Sequence, residues 1–329
     1  MRAMVLEEIG SPLIERELAD GEPAPDEVRV RVEACGVCRT DLHVVDGELP
    51  GVATPVIPGH EIVGIVEKIG AGVRGIGPGD RVGVPWLGST CGVCEYCRAD
   101  RENLCDAPAF TGYTRPGGFA THVHARAAYC VPLPEDADPV ATAPLLCAGL
   151  IGWRCLARTG EAKRIGLYGF GAAAHIVAQV AHWQGREVYA FTRPGDSRTQ
   201  AFALALGVAW AGASSDAPPV RLDAAIIFAP VGALVPAALA GVKKGARVVC
   251  GGIHMSDIPA FPYRLLWEER ELVSIANLTR ADARAFFDIV PRADIATSTT
   301  VYPLAEANRA LADLRAGAFD GAAVLVPGT

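Results

Sequence analysis

Four cysteines close together in sequence constrain the fold of this chain more than any other feature. Their spacing is C-x2-C-x2-C-x7-C, and the residues are Cys91, Cys94, Cys97 and Cys105. Four thiolates in one short loop can complete a tetrahedral shell around Zn²⁺ and leave no position for a substrate. The sequence therefore predicts a structural zinc site.

An iron–sulfur cluster is the competing interpretation of this loop. The spacing C-x2-C-x2-C also begins ferredoxin-type runs, in which the last spacing is three residues and proline follows. Here the last spacing is seven residues and Asp106 follows. We therefore favour zinc, and iron in an elemental analysis would overturn this interpretation.

A second set of metal-ligand residues is spread along the chain. Cys38, the pair His60-Glu61 and Cys147 offer two thiolates, an imidazole and a carboxylate. Two cysteines and one histidine on zinc leave one coordination position for water or substrate. The sequence thus predicts two zinc ions per subunit, one structural and one catalytic.

The composition favours a globular, cytoplasmic protein with two domains. The chain has 329 residues, which is long enough for two domains that each have their own core. Half of the residues are apolar, and the formal net charge is −7.

No Lys/Arg run suits a phosphate backbone, so we expect no nucleic-acid partner. No apolar run approaches a membrane span, and acidic residues occur too early for a signal peptide, so we expect no membrane partner. Ten cysteines in such a chain favour metal binding over disulfides.

The pattern of predicted secondary structure changes near residue 150. Residues 1–149 alternate strand-like runs with glycine-rich turns, which is typical of a β-rich domain. Beyond them, strands alternate with helical patterns; the strand at 165–168, for example, precedes helical spacing over 175–183. This alternation predicts an α/β fold with a doubly wound parallel sheet. We assign 150–294 to that domain and return residues 295–329 to the first. The pattern also predicts an extended segment over 120–131 and a helix over 304–316.

A glycine-rich turn follows the predicted strand at 165–168. Residues 169–174 read GFGAAA, which is the G-x-G-x-x-A variant of the dinucleotide-binding fingerprint. Gly169 allows the tight turn, Gly171 lets the backbone approach a pyrophosphate, and Ala174 keeps the helix close to the strand. The pyrophosphate would lie at the helix N-terminus, where N–H groups and the dipole favour an anion.

The end of the next strand bears on the choice of nicotinamide cofactor. About 20 residues after the fingerprint, NAD-binding proteins carry an acidic residue for the ribose 2′-hydroxyl. This chain has Thr192-Arg193 there. An arginine beside a hydroxyl suits a 2′-phosphate, so NADP(H) is slightly favoured over NAD(H). The alternative is that Arg193 is an ordinary solvated loop residue.

Together these motifs resemble the zinc-dependent medium-chain alcohol dehydrogenases. Besides the cysteine loop and the glycine turn, the resemblance rests on CGVCRTDLH (35–43), PGHE (58–61) and LCAG (146–149), which follow the family's order over nearly the whole chain. It implies a GroES-like catalytic domain and a Rossmann domain, with the active site in the cleft between them. It also implies homodimers or homotetramers, and alcohols, aldehydes or ketones as substrates.

The resemblance implies a role for each residue of the catalytic metal site. Cys38, His60 and Cys147 would hold the zinc, with Glu61 behind the metal or intermittently on it. Asp41 would accept a hydrogen bond from His60 and so fix its tautomer, as carboxylates behind metal-binding histidines commonly do.

The resemblance also implies a proton path and contacts to the cofactor. Thr40 would contact the substrate oxygen and begin a proton relay, which His43 would end through the cofactor ribose. Arg39 would reach the pyrophosphate. Many relatives carry an arginine in a closing Gly-Arg motif, where this chain has Gly321-Ala322, and that removes one pyrophosphate contact.

Three functions are compatible with the sequence. The leading one is an NAD(P)-dependent zinc alcohol dehydrogenase, and the second is a related enzyme that acts on polyols, formaldehyde adducts or aromatic aldehydes. The third is a zinc-stabilised binding protein of the same fold without catalysis. The complete catalytic set argues against the third: Cys38, Thr40, His43, His60 and Cys147. Trp86 and Leu87 are candidate pocket residues that mildly favour apolar alcohols over sugars, and the alternative is that both are ordinary core residues.

Overall fold

The chain folds into two compact units, each built from separated stretches of sequence. The computed structural model describes residues 1–328. The first unit contains residues 1–147, 277–284 and everything described from 297 onward. The second contains residues 148–276 and 285–296. The segment 277–284 therefore belongs to the first unit, although the sequence offered no reason to separate it from its neighbours.

The strands and helices of residues 1–328 are as follows. The strands up to residue 147 are β1 (Arg2–Val5), β2 (Ile14–Glu17), β3 (Glu27–Val37), β4 (Glu61–Ile69), β5 (Arg81–Val84), β6 (Leu87–Ser89), β7 (Ala109–Phe110), β8 (His122–Arg126) and β9 (Val131–Pro132). The later strands are β10 (Arg164–Tyr168), β11 (Glu187–Thr192), β12 (Trp210–Ala213), β13 (Leu222–Ile227), β14 (Val242–Cys250), β15 (Glu271–Ser274), β16 (Thr299–Pro303) and β17 (Ala322–Val326). The α-helices are α1 (Arg39–Val45), α2 (Glu95–Arg98), α3 (Pro139–Thr142), α4 (Ala148–Arg158), α5 (Ala172–Trp183), α6 (Ser197–Ala205), α7 (Leu234–Gly241), α8 (Arg280–Ala293) and α9 (Ala307–Ala316).

Helix length and hydropathy decide whether a helix can span a membrane. Within residues 1–328, no single helix is long and apolar enough to cross a bilayer. One bent pair, Pro139–Leu146 with Ala148–Arg158, meets the criteria on length and composition alone.

A seven-stranded sheet organises the first unit. Its order is β16-β17-β3-β4-β5-β9, β8 also pairs with β3, and every pair except β16–β17 is antiparallel. Val28, Val30 and Val32 of β3 are buried while the residues between them are more exposed, the period-two pattern of a strand with one face in a core. Leu325 of β17 joins the same core, so a strand from beyond the second unit shares a core with β3.

The six strands of the second unit are all parallel, as predicted. Their order is β12-β11-β10-β13-β14-β15. This is the doubly wound Rossmann order, in which the direction of strand succession reverses between β10 and β13. Both of these strands are almost entirely buried, as expected when both faces of a parallel sheet are covered. Ligands of such sheets bind beyond the carboxyl ends of the strands at the reversal.

Two predicted elements differ from the observed ones near their ends. The extended segment predicted over 120–131 is interrupted by a 3₁₀ turn, Ala127–Tyr129. The reason is that Arg126 pairs with Glu27, the first residue of β3, so β8 has no further partner along that strand. The C-terminal helix, predicted over 304–316, begins instead as a 3₁₀ turn and becomes α9 only at Ala307.

A partly buried ion pair joins the start of β3 to the loop after β7. The Arg115 guanidinium donates a hydrogen bond to Glu27 Oε1, and both side chains are mostly buried. Burial by itself raises the pKa of Glu27, but the Arg115 hydrogen bond and charge outweigh it and hold that pKa below its usual range. The ionised carboxylate therefore contributes to stability.

We expect Glu27→Gln to destabilise the protein at pH 7 by about 1–3 kcal/mol, because it leaves a charged donor without its carboxylate. The folded-state pKa is lowered, so the stabilisation is present above the unfolded pKa of about 4.3 and is lost as the pH falls through the folded value. Urea midpoints of wild type and variant should therefore converge in acid. Glu306→Gln, which breaks an exposed pair with Arg309, is the control. A difference between the urea midpoints of wild type and Glu27→Gln that persists in acid would contradict this account.

Candidate active site

Cys38 lies where strand β3 ends and helix α1 begins. Its Sγ accepts a hydrogen bond from the Thr40 backbone N–H at 3.2 Å, and its own N–H donates to Asp41 Oδ2 at 2.9 Å. These reciprocal bonds form a capping box in which the cysteine takes the place of serine or threonine. N–H groups at the start of a helix favour a negatively charged sulfur. The local fold thus favours the thiolate form of Cys38.

A buried carboxylate lies beside His60. Asp41 Oδ1 accepts the Gly59 N–H at 3.0 Å and lies 3.2 Å from His60 Nδ1, and both Asp41 and His60 are fully buried. The other ring nitrogen, Nε2, is 3.1 Å from Cys38 Sγ. The ring of Trp86 meets the imidazole edge-on, with centroids 4.7 Å apart. A carboxylate on one nitrogen of a histidine directs the other nitrogen toward a metal.

Burial and mutual contacts set the charges of these groups. Burial raises the pKa of Cys38, but a hydrogen bond from Cys147 and the His60 charge outweigh it, so the pKa lies well below its ordinary value. The same bond to Cys38, together with burial, raises the pKa of Cys147 well above its ordinary value. Burial lowers the pKa of His60, yet the Cys38 thiolate and Asp41 raise it overall. The cluster therefore concentrates negative charge beside an imidazole, an environment that favours a cation.

Glu61 joins the same cluster because its cross-strand partner is a glycine. It pairs with Gly36 in the β3–β4 register, and a Cβ on Gly36 would lie 1.8 Å from Glu61 Oε2. One donor atom from each of Cys38, His60, Glu61 and Cys147 lies within 4.8 Å of the other three. The fold thus brings together residues that are more than a hundred positions apart, and a Cys₂His set with a carboxylate fits zinc.

The four-cysteine loop gathers its sulfurs in a similar way. All four lie within 4.8 Å of one another, and Cys91 Sγ is 4.0 Å from Cys97 Sγ. A tetrahedron with Zn–S bonds of about 2.3 Å has sulfur–sulfur edges of about 3.8 Å. The backbone N–H groups of Cys94 and Cys91 donate to Cys91 Sγ and Cys105 Sγ, each at 3.3 Å. The Cys97 N–H helps to lower the pKa of Cys94 to about 6, so the donor set fits a tetrathiolate metal site.

Helix α1 also carries the residues implied for the proton path. Thr40 is half-buried in its first turn, beside the exposed Arg39, and His43 is buried one turn later. His43 Nδ1 contacts Glu48 Oε2. The sequence reasoning missed Glu48, and the only available signal was a carboxylate five residues after His43, just beyond the end of the helix.

The glycine turn of the second unit joins β10 to α5. Gly169 has φ +90°, and a Cβ there would lie 2.9 Å from Ala229, so the fold itself requires glycine. A Cβ on Gly171, the N-cap of the 12-residue α5, would meet nothing within 4 Å, whereas Ala174 is fully buried. The turn therefore leaves open space at a helix N-terminus, beside the reversal of strand order. This arrangement fits a pyrophosphate.

Thr192 and Arg193 lie at the carboxyl end of β11. Thr192 is 3% exposed, and its Oγ1 accepts a hydrogen bond from Gln200 Nε2 at 3.0 Å. Arg193 is exposed just beyond the strand. Of the two residues, therefore, only Arg193 presents its polar group at the surface.

Comparison with known proteins decides the family. Residues 24–135 match the family described as Alcohol dehydrogenase GroES-like domain. The chain is 50% identical over 312 residues to the protein named "Probable alcohol dehydrogenase AdhA" of Mycobacterium tuberculosis, covering 92% of this chain and 90% of that protein. The chain belongs to the zinc-dependent medium-chain alcohol dehydrogenases.

Solved structures of this family share the fold. A zinc-binding dehydrogenase from Sinorhizobium meliloti, solved with NADP, has a TM-score of 0.89 and 28% identity, with 99% of each chain covered. A thermostable alcohol dehydrogenase from Pyrobaculum aerophilum, solved with cobalt and zinc, has a TM-score of 0.90 and 25% identity, again with 99% of each chain covered. The predicted combination of a GroES-like domain with a Rossmann sheet is confirmed for this medium-chain dehydrogenase.

We expect Asp41→Asn to weaken zinc binding at Cys38 and His60 by about 10- to 100-fold, because the amide no longer holds the imidazole with a carboxylate. The measurement is the zinc retained in competition with a graded series of chelator concentrations. Asp46→Asn is the matched control, since Asp46 ends the same helix in a surface pair with Arg315. Equal retention in both variants would show that Asp41 does not orient His60.

Proposed function

We propose that the protein is an NAD(P)-dependent zinc alcohol dehydrogenase that interconverts an alcohol with its aldehyde or ketone. The observation that carries the proposal is the convergence of Cys38, His60, Glu61 and Cys147 within 4.8 Å, in a chain whose relatives bear the name alcohol dehydrogenase. When bound, zinc polarises the substrate oxygen as a Lewis acid, and the nicotinamide carries the hydride.

The chain's own residues position the substrate and move the proton. We assign the Thr40 hydroxyl to the substrate oxygen and Arg39 to the cofactor pyrophosphate. His43 is the last group of the relay. In a neutral imidazole one nitrogen donates and the other accepts, so an Nδ1 proton held by Glu48 leaves Nε2 to take up the substrate proton. Glu48 thus positions His43.

Aromatic rings beside His60 favour apolar substrates. Trp86 stacks on Phe110 and Tyr113, with centroids 5.3 and 5.6 Å apart, while its edge meets His60. Rings of this kind contribute mainly apolar contact area. We therefore propose apolar alcohols as the substrate class, with polyols and aromatic aldehydes as the alternatives to include in one substrate panel.

Two zinc ions per subunit and a slight preference for NADP(H) complete the proposal. The exposed Arg193 after β11 and the lack of an acidic residue there support NADP(H), and the Sinorhizobium relative was solved with NADP. The ratio of kcat/KM for the two cofactors is the test, and a strong preference for NAD would overturn this choice. We also propose a homodimer or homotetramer in the cytoplasm.

We expect Cys38→Ser and His60→Ala to lower turnover by at least about 1,000-fold, or about 4 kcal/mol of transition-state stabilisation. Nicotinamide absorbance with a panel of alcohols is the measurement. Cys250→Ser, outside both metal clusters, is the control. Near-wild-type kcat in either ligand variant would refute the metal assignment. A zinc-loaded wild type that is inactive with every alcohol and both cofactors would favour the binding protein.

Gly171→Ala should raise the KM for the nicotinamide cofactor by roughly 10-fold or more, equivalent to about 1.4 kcal/mol. The added methyl group meets no protein atom within 4 Å, so it occupies only the space proposed for the pyrophosphate and should leave the thermal midpoint unchanged. Gly77→Ala, which also meets nothing within 4 Å, is the control. A cofactor KM equal to that of the control would place the dinucleotide elsewhere.

A further inference from the structure

The segment 277–284 packs against the four-cysteine loop within the first unit. The chain enters this segment from the second unit and leaves it within α8, whose residues from 285 onward belong to the second unit again. Arg280 of this segment pairs with Glu102, which lies in the loop between Cys97 and Cys105. A short connecting segment therefore rests on the most cysteine-rich part of the molecule.

Glu102 is held by three hydrogen bonds from one residue. Its Oε1 accepts the backbone N–H and Nε of Arg280, each at 2.9 Å, and its Oε2 accepts Nη2 at 3.3 Å. Only 7% of Glu102 is exposed. Arg280 is the first residue of α8, so the carboxylate both pairs with a guanidinium and caps a helix from a distant part of the sequence.

The same guanidinium is connected to the other end of the loop by the side chain of Tyr129. It lies 4.9 Å from the centroid of Tyr129, and Tyr129 Oη contacts Thr90 at its backbone N, 3.1 Å away, and at its Oγ1, 2.6 Å away. Thr90 immediately precedes Cys91. Arg280 is thus connected to the loop just before its first cysteine and shortly before its last.

We propose that these four residues, Thr90, Glu102, Tyr129 and Arg280, form a loop clamp that couples metal retention by the four cysteines to the order of residues 277–284. Arg280 is the positioning residue. A zinc ion with four thiolates carries net negative charge, which favours a nearby guanidinium, and a loop held at both ends loses less freedom when it closes around a metal. The inference rests on the proposed zinc binding by this loop.

Coupling of this kind is reciprocal. If the docked segment stabilises the metal-bound loop, the metal-bound loop must stabilise the docked segment by the same free energy. The clamp can therefore be tested from both sides, by metal release in variants of Arg280 and by the order of residues 277–284 in protein that has lost the loop metal.

The first test measures zinc release from the purified holoenzyme into excess colorimetric chelator, with His60→Ala used to assign the catalytic-site phase. We expect Arg280→Gln to speed the loop phase by about 10- to 100-fold and Arg280→Lys to recover part of the loss, since lysine keeps the charge without the planar fork. Arg292→Gln is the matched control, because it removes the same charge from the same helix, at a guanidinium that lies over the ring of Trp183 instead of Tyr129, and it should leave the loop phase unchanged.

The second test is hydrogen exchange of the wild type before and after selective removal of the loop zinc. Amides of 277–284 should lose protection while those of β10 and β13 keep it. If Arg280→Gln fails to fold, Tyr129→Phe, which removes only the hydroxyl contact with Thr90, should still speed release. An unchanged loop phase in a zinc-loaded variant, or unchanged exchange at 277–284, would overturn the clamp alone. Absence of zinc from the four cysteines of purified protein would overturn both the clamp and the metal assignment under it.

Discussion

One buried carboxylate holds together the parts of the chain that form the candidate active site. Asp41 accepts hydrogen bonds from the backbone N–H groups of Cys38 and Gly59 and lies against the imidazole of His60. It thereby joins the end of β3, the first turn of α1 and the start of β4. A fully buried carboxylate is costly unless it is paired and hydrogen-bonded, and here both oxygens have partners. The positions of Cys38 and His60 therefore depend on the same two oxygen atoms.

Close backbone approaches, more than side-chain packing, allow this arrangement. A Cβ on Gly36 would collide with the Glu61 carboxylate, and one on Gly117 would lie 2.2 Å from the Gly59 carbonyl oxygen. Gly59 itself has φ +96°, a conformation that other residues rarely adopt. The backbone around Gly117 therefore packs directly against the backbone of the segment that precedes His60. Glycines that resemble simple turn residues in the sequence are here required for the geometry of the Cys38, His60, Glu61 and Cys147 cluster.

The sequence was sufficient for features that depend on spacing and periodicity. The cysteine spacing predicted a gathered loop, and the alternation of strands and helices after residue 150 predicted the parallel sheet with its glycine turn. Contacts that depend on docking of distant segments were out of reach. Glu102 and Arg280 follow no local pattern, because they are 178 positions apart and meet only in the tertiary structure. Glu48 lies only five residues after His43, but a contact across the end of a helix has no sequence signature of its own. The same holds for the assignment of 277–284 to the first unit.

The discontinuous first unit has a consequence for the order of events during synthesis. Strand β3 pairs with β17, which is synthesised after every residue of the second unit, since that unit ends at residue 296. Domains generally fold as units as the chain emerges. The Rossmann sheet can therefore be complete while the central sheet of the first unit still lacks a strand, so the cluster of Cys38, His60, Glu61 and Cys147, although synthesised before the second unit, reaches its final framework after it.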